Sequence, residues 1–179
     1  LGSKKSSGFA SYPIRYLALG LLMRGPGHGY QLDQDLEDDF GLIWKAGQTK
    51  LYVTLSALEE EGLLASELEP QENRPDRKVY SLTEQGRRAF REWVSRPVPS
   101  LRATRVELIA KLRFYDLLEL PGIRELIAAQ QEILRAMTSE WEKEQIEIED
   151  PFLQEVYEFR IQQAEFITDW LEEFQSNLQ

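Results

Sequence analysis

Between Gln48 and Gly62 the polar and cationic side chains fall on one side of a short periodic segment and the leucines on the other. At about 100° per residue, Leu51, Leu55 and Leu58 make one narrow stripe, with Gly62 placed to stop a helix. The opposite face carries Thr49, Lys50, Val53, Ser56 and Ala57, with Gln48 at its leading end, while Glu59, Glu60 and Glu61 are held back at the C-terminal end. Short donors and a single cation on a slim helix suit contact with the base edges and phosphates of a nucleic-acid groove. Tyr52 sits about 100° from Leu51, so its ring can pack while its hydroxyl reaches a phosphate.

Two further groups fit the same chemistry. Arg74, Arg77 and Lys78 surround the end of a polar loop and suit backbone or minor-groove contact. His28, the single histidine, precedes Gly29 and Tyr30 after a Gly-rich turn, where amides opening a helix favour an anion. A nucleotide-binding loop does not fit Gly25–Gly29, because no strand precedes it and no lysine follows in the required place. With no cysteine, one histidine and no paired-carboxylate motif, neither a catalytic site nor a metal site is expected, and no cofactor.

Composition bounds these readings. The 179 residues are 42% hydrophobic, enough for a core, and no apolar run is long enough to span a bilayer. A net charge of −10 first argues against nucleic acid, but it is unevenly spread. Residues 1–97 hold 13 Lys+Arg against 14 Asp+Glu, and residues 98–179 hold 8 against 17. The acid lies mostly in the second half, which predicts modest non-specific affinity for DNA rather than none.

The elements that must position these groups follow in order. Residues 1–11 read as a flexible tail. Residues 12–24 form an apolar helix, and a second runs from His28–Tyr30 to Phe40, with Asp33, Asp35, Glu37, Asp38 and Asp39 solvated. After the Gln48 helix the period changes to alternation: Leu64–Leu68 and Val79–Leu82 read as two strands of a hairpin, and Thr83 caps a helix that buries Phe90, Trp93 and Val94. Three helices, a hairpin and a closing helix make a winged helix-turn-helix over residues 12–97, mostly α with a small β-hairpin. The Pro-rich stretch Arg96–Ser100 is the expected boundary. Residues 98–179 then read as a helical dimerisation domain: a short helix near 105–118 and two long helices opened by Pro121 and by Asp150–Pro151. Leu126, Ile133, Met137, Val156, Ile167, Trp170, Leu171 and Phe174 are its expected pairing residues, in a two-fold dimer.

With these residues in view, the chain resembles the PadR family of transcriptional regulators, in its longer form with an extended C-terminal helical domain. The resemblance rests on Leu19-Gly-Leu-Leu, Gly25-Pro26-x-His28-Gly29-Tyr30 and Trp44-x-Ala46. It continues through Leu51-Tyr52, Leu55, Leu58-Glu59 and Gly62-Leu63, then Lys78-x-Tyr80-x-Leu82-Thr83-x-x-Gly86. One departure is Val53, where the family commonly has proline after the tyrosine. Composition makes a cytoplasmic protein the default, and the resemblance implies a homodimer that binds an inverted-repeat operator in double-stranded DNA, represses a gene, and is released by a small aromatic effector. An aromatic acid would need an arginine and a flat apolar wall; Arg15, Arg113, Trp141, Tyr157 and Arg160 are the candidates. The competing expectation is a winged-helix module that binds proteins and never meets DNA.

Overall fold

A computed structural model describes residues 14–44, 48–70 and 77–178. Arg74, Lys45 and the expected N-terminal tail lie outside the described residues, as does the side chain of Gln48. The chain divides into two compact units, Leu1–Val94 and Ser95–Gln179.

In the first unit α1 (Ile14–Leu21) continues into a 3₁₀ turn at Leu22–Arg24, and six of its eight residues are buried. Gly25, at φ 144°, turns the chain into a two-residue strand, β1 (Gly27–His28), and α2 (Gly29–Phe40) follows. The third helix, α3, spans Gln48–Glu60. Leu51, Leu55 and Leu58 are buried with Leu17, Leu19, Leu32, Leu36 and Phe40, so the leucine stripe does hold α3 in the core. Gly62 ends the helix at φ 73°: its amide bonds back to the Glu59 carbonyl and the Leu63 amide to Leu58, a left-handed closure that a side chain would strain.

β2 (Leu64–Glu69) and β3 (Arg77–Leu82) pair antiparallel from Leu64↔Leu82 to Glu69↔Arg77. The sheet has three strands rather than the expected hairpin, in the order β1-β3-β2, because Gly27 pairs with Tyr80 and His28 with Val79. Two residues carry no alternation, so β1 has no sequence signature of its own. Thr83 caps α4 (Glu84–Ser95): its hydroxyl accepts from the Gly86 amide and lies within bonding distance of the Gly62 and Leu63 carbonyls. The Trp93 ring stacks on Tyr16 at 4.9 Å.

The second unit begins with the Pro-rich segment, which is held rather than loose. The buried side chain of Gln130 accepts from the Val98 amide at 2.7 Å and donates to the Val98 carbonyl at 3.1 Å. The buried Lys111 ammonium donates to the Arg96 carbonyl at 2.7 Å and pairs with Glu107 at 2.9 Å. Burial pushes the Lys111 ammonium below its usual range, against the opposing pull of Glu107. After α5 (Leu101–Ala103), Glu107 lies in a π-helical turn at Thr104–Leu108, Lys111 on α6 (Ile109–Leu117) and Gln130 on α7 (Ile123–Glu147). α8 (Pro151–Ser176) starts on Asp150, whose carboxylate accepts from the Phe152 and Leu153 amides. It returns antiparallel along α7: Gln145 donates to the Gln154 carbonyl at one end and Arg124 to the Leu178 carbonyl at the other.

Candidate nucleic-acid interface

The exposed arc of α3 carries Thr49, Lys50, Tyr52, Val53, Ser56 and Ala57. Lys50 is steadied by Trp44, whose ring centroid lies 5.3 Å from its ammonium. Tyr52 leans toward the start of α2: a methyl group added at Gly29 would stand 2.6 Å from its Cε1 and 3.3 Å from its hydroxyl. Only glycine leaves room for that approach. His28, in the N-cap position of α2, makes no capping hydrogen bond with its side chain, so its imidazole does not compete for the first amides.

The β1–β3 pairing carries this surface across to the wing. His28 stacks on Tyr30 at 5.5 Å, and the Arg77 guanidinium lies 5.2 Å from the Tyr30 ring. The His28 imidazole is engaged on both sides: Nδ1 is 3.3 Å from the Lys78 carbonyl, and Nε2 is 3.3 Å from the Glu69 carboxylate. A phosphate would have to compete with Glu69 for it. Lys78 likewise has a partner, donating to Glu59 at 2.6 Å, and Ser66 donates to the same carboxylate. The Lys78 hydrogen bond, then that of Ser66, holds the Glu59 carboxyl below its usual range, and the same bond holds the Lys78 ammonium above its own. Glu59 is therefore a fastening between α3 and the wing strands, a role the sequence reading did not give it.

The remaining candidates separate by unit. In the first, Arg15 pairs with Glu61. In the second, Arg113 pairs with Asp116. Trp141, Tyr157 and Arg160 do come together: the Arg160 guanidinium lies 4.1 Å from the Trp141 ring and 5.7 Å from the Tyr157 ring. A hydrogen bond with Glu144 pushes the Tyr157 phenol up. Leu126 and Leu171 are buried within their own chain, whereas Ile133, Met137, Ile167, Trp170 and Phe174 are half-buried and Val156 is exposed. Sequence reasoning passed over Phe152, Phe159 and Phe166, which are 73%, 61% and 69% exposed at seven-residue spacing on the outer side of α8. Their period was legible, but the inward stripe of the same helix drew the assignment.

Among the described residues no helix is long and apolar enough to cross a membrane, and no group of three His, Asp or Glu is placed to hold a metal.

A helical unit with a cap-closed third helix and a three-stranded wing is a winged helix-turn-helix. Residues 18–92 match the model of the transcriptional regulator PadR-like family, so this part of the chain is similar to regulators of that type. It is 26% identical over 127 residues to the negative transcriptional regulator PadR of Bacillus subtilis, covering 71% of this chain and 70% of that one. It is 30% identical over 77 residues to a probable transcriptional regulator of Mycobacterium tuberculosis, 43% of this chain and 41% of the other. Among solved structures it is similar to Bacillus subtilis PadR in complex with operator DNA, with a TM-score of 0.48 at 21% identity, covering 93% and 98% of the two chains.

Proposed function

We propose that this protein is a cytoplasmic, dimeric repressor that sets α3 of each protomer into the major groove of an inverted-repeat operator and is released by a small aromatic molecule. The observation that carries the reading is the continuous surface from Thr49, Lys50 and Ser56 through Tyr52 and the opening of α2 to Tyr30 and Arg77. It joins groove-sized side chains, helix amides and a wing cation without an intervening carboxylate on the leading turns of α3. The similar Bacillus subtilis protein, named a negative regulator, supports repression.

A retardation assay with the protein and the DNA upstream of its own gene tests this. Binding should be salt-steep, to half-sites about 34 Å apart. Lys50→Ala with Arg77→Ala should weaken operator and random DNA alike and lower the salt slope by about four, two contacts from each protomer. No shift at low salt would leave the protein-binding module as the reading. For the effector, we place the carboxylate of an aromatic acid on Arg160, with Trp141 and Tyr157 as walls. A phenolic acid should quench indole fluorescence in the native protein and not in Arg160→Gln; equal quenching removes the assignment.

A further inference from the structure

Val53 lies at the middle of the exposed arc of α3. By helical rotation Thr49 stands about 40° to one side and Ala57 about 40° to the other, with the buried leucines roughly opposite. It is 65% exposed, more than Tyr52 beside it at 40%. An isopropyl group there takes no part in the core, which is filled by Leu51, Leu55 and Leu58. Its neighbours Thr49, Ser56 and Ala57 are short, so a partner surface can approach the helix backbone at this point. α3 runs unbroken through it from Gln48 to Glu60.

We propose that Val53 is a specificity-determining residue that packs against the 5-methyl group of a thymine in the major groove. The inference rests on the DNA-binding reading above and adds to it a base identity. Valine has no donor, acceptor or charge beyond its backbone, so it can neither hold a phosphate nor answer the hydrogen-bond pattern of a base edge. Contact with the thymine methyl is the form of direct readout open to it. Its contribution should therefore be confined to specific sites and indifferent to salt, unlike that of Lys50 or Arg77.

The test begins with selection of a randomised duplex library on the full chain. Each thymine of the enriched half-site is then replaced by deoxyuridine, which deletes only the methyl group. Made at the same position of both half-sites, one such replacement should weaken the native protein about fifteenfold, the scale of two buried methyl contacts, one per protomer. Val53→Ala should lose a similar factor on the thymine duplex and show no further response to deoxyuridine at that position, while binding random DNA as the native protein does. Val53→Thr, which keeps a γ-methyl, should retain the thymine preference. Alanine at an exposed helical position favours the helix, so circular dichroism should be unchanged. Native affinity in Val53→Ala, or an equal deoxyuridine penalty in both proteins, overturns the inference and leaves the DNA reading standing. Failure to enrich any duplex overturns both.

Discussion

Glu59 shows how one carboxylate can serve a binding surface without touching the ligand. It takes hydrogen bonds from Lys78 on β3 and Ser66 on β2, and so ties the wing to α3. Its depressed carboxyl contributes stability that is fully present above the unfolded carboxylate value and lost as pH falls through the folded one. The raised Lys78 ammonium contributes below its unfolded value and loses that share only as pH climbs through the folded one. The melting temperature of Glu59→Gln should therefore trail the native protein at neutral pH and converge with it only as pH falls through the depressed Glu59 value, below the usual carboxylate range. The pair is partly exposed, so the gap will be small. The same variant releases the Lys78 charge, and its affinity for random DNA should rise with a salt slope steeper by about two, one contact per protomer. An unchanged slope would mean that Lys78 stays turned away from the phosphates.

At the scale of elements, buried polar side chains fix a segment that composition alone marks as a tether. Gln130 meets both backbone groups of Val98, and Lys111 meets the Arg96 carbonyl. Gln130→Leu would leave the Val98 amide and carbonyl buried without a partner, at about 1–3 kcal/mol each. Chemical denaturation should show a loss in that range or above it; a loss under about 0.5 kcal/mol would mean water replaces the amide. Such long-range fastenings were not legible in the sequence, where Gln130 reads as one more position on a helical stripe. What was legible were elements whose pattern is local: the leucine period of α3 with its Gly62 stop, Thr83 before α4, and Asp150–Pro151 before α8. Gly86 belongs to both kinds. Its place in the motif is plain from sequence, but the reason is tertiary: a side chain there would collide with the Leu63 carbonyl. β1 and the Glu59 fastening were missed for the same cause, since each depends on a partner far along the chain.

For the whole molecule, the outer side of α8 sets the next test. Phe152, Phe159 and Phe166 make an apolar row that the protomer leaves in water. Covering a side chain of this kind is worth about 1.5–3 kcal/mol, and a row of three suits a second copy related by a two-fold axis. Phe159→Asp with Phe166→Asp should sediment as a monomer at micromolar concentration and retain native helicity, because neither ring is part of the protomer core. A dimer that survives both changes places the pairing surface elsewhere. Of the residues first expected to pair, Leu126 and Leu171 are already enclosed by their own chain. Heptad spacing alone does not say whether a leucine faces its own hairpin or a neighbour.

The strand order β1-β3-β2 carries a last consequence, for colloidal behaviour. β3 is interior at Val79 and Tyr80, so its apolar run offers no template to a stray chain. One flank of the sheet is only two residues long, and the other presents Glu67 and Glu69, whose like charges oppose stacking of a second copy. A protein with so small a sheet thus has little bare border from which fibrils could grow, and concentrated stocks should resist that route to precipitation.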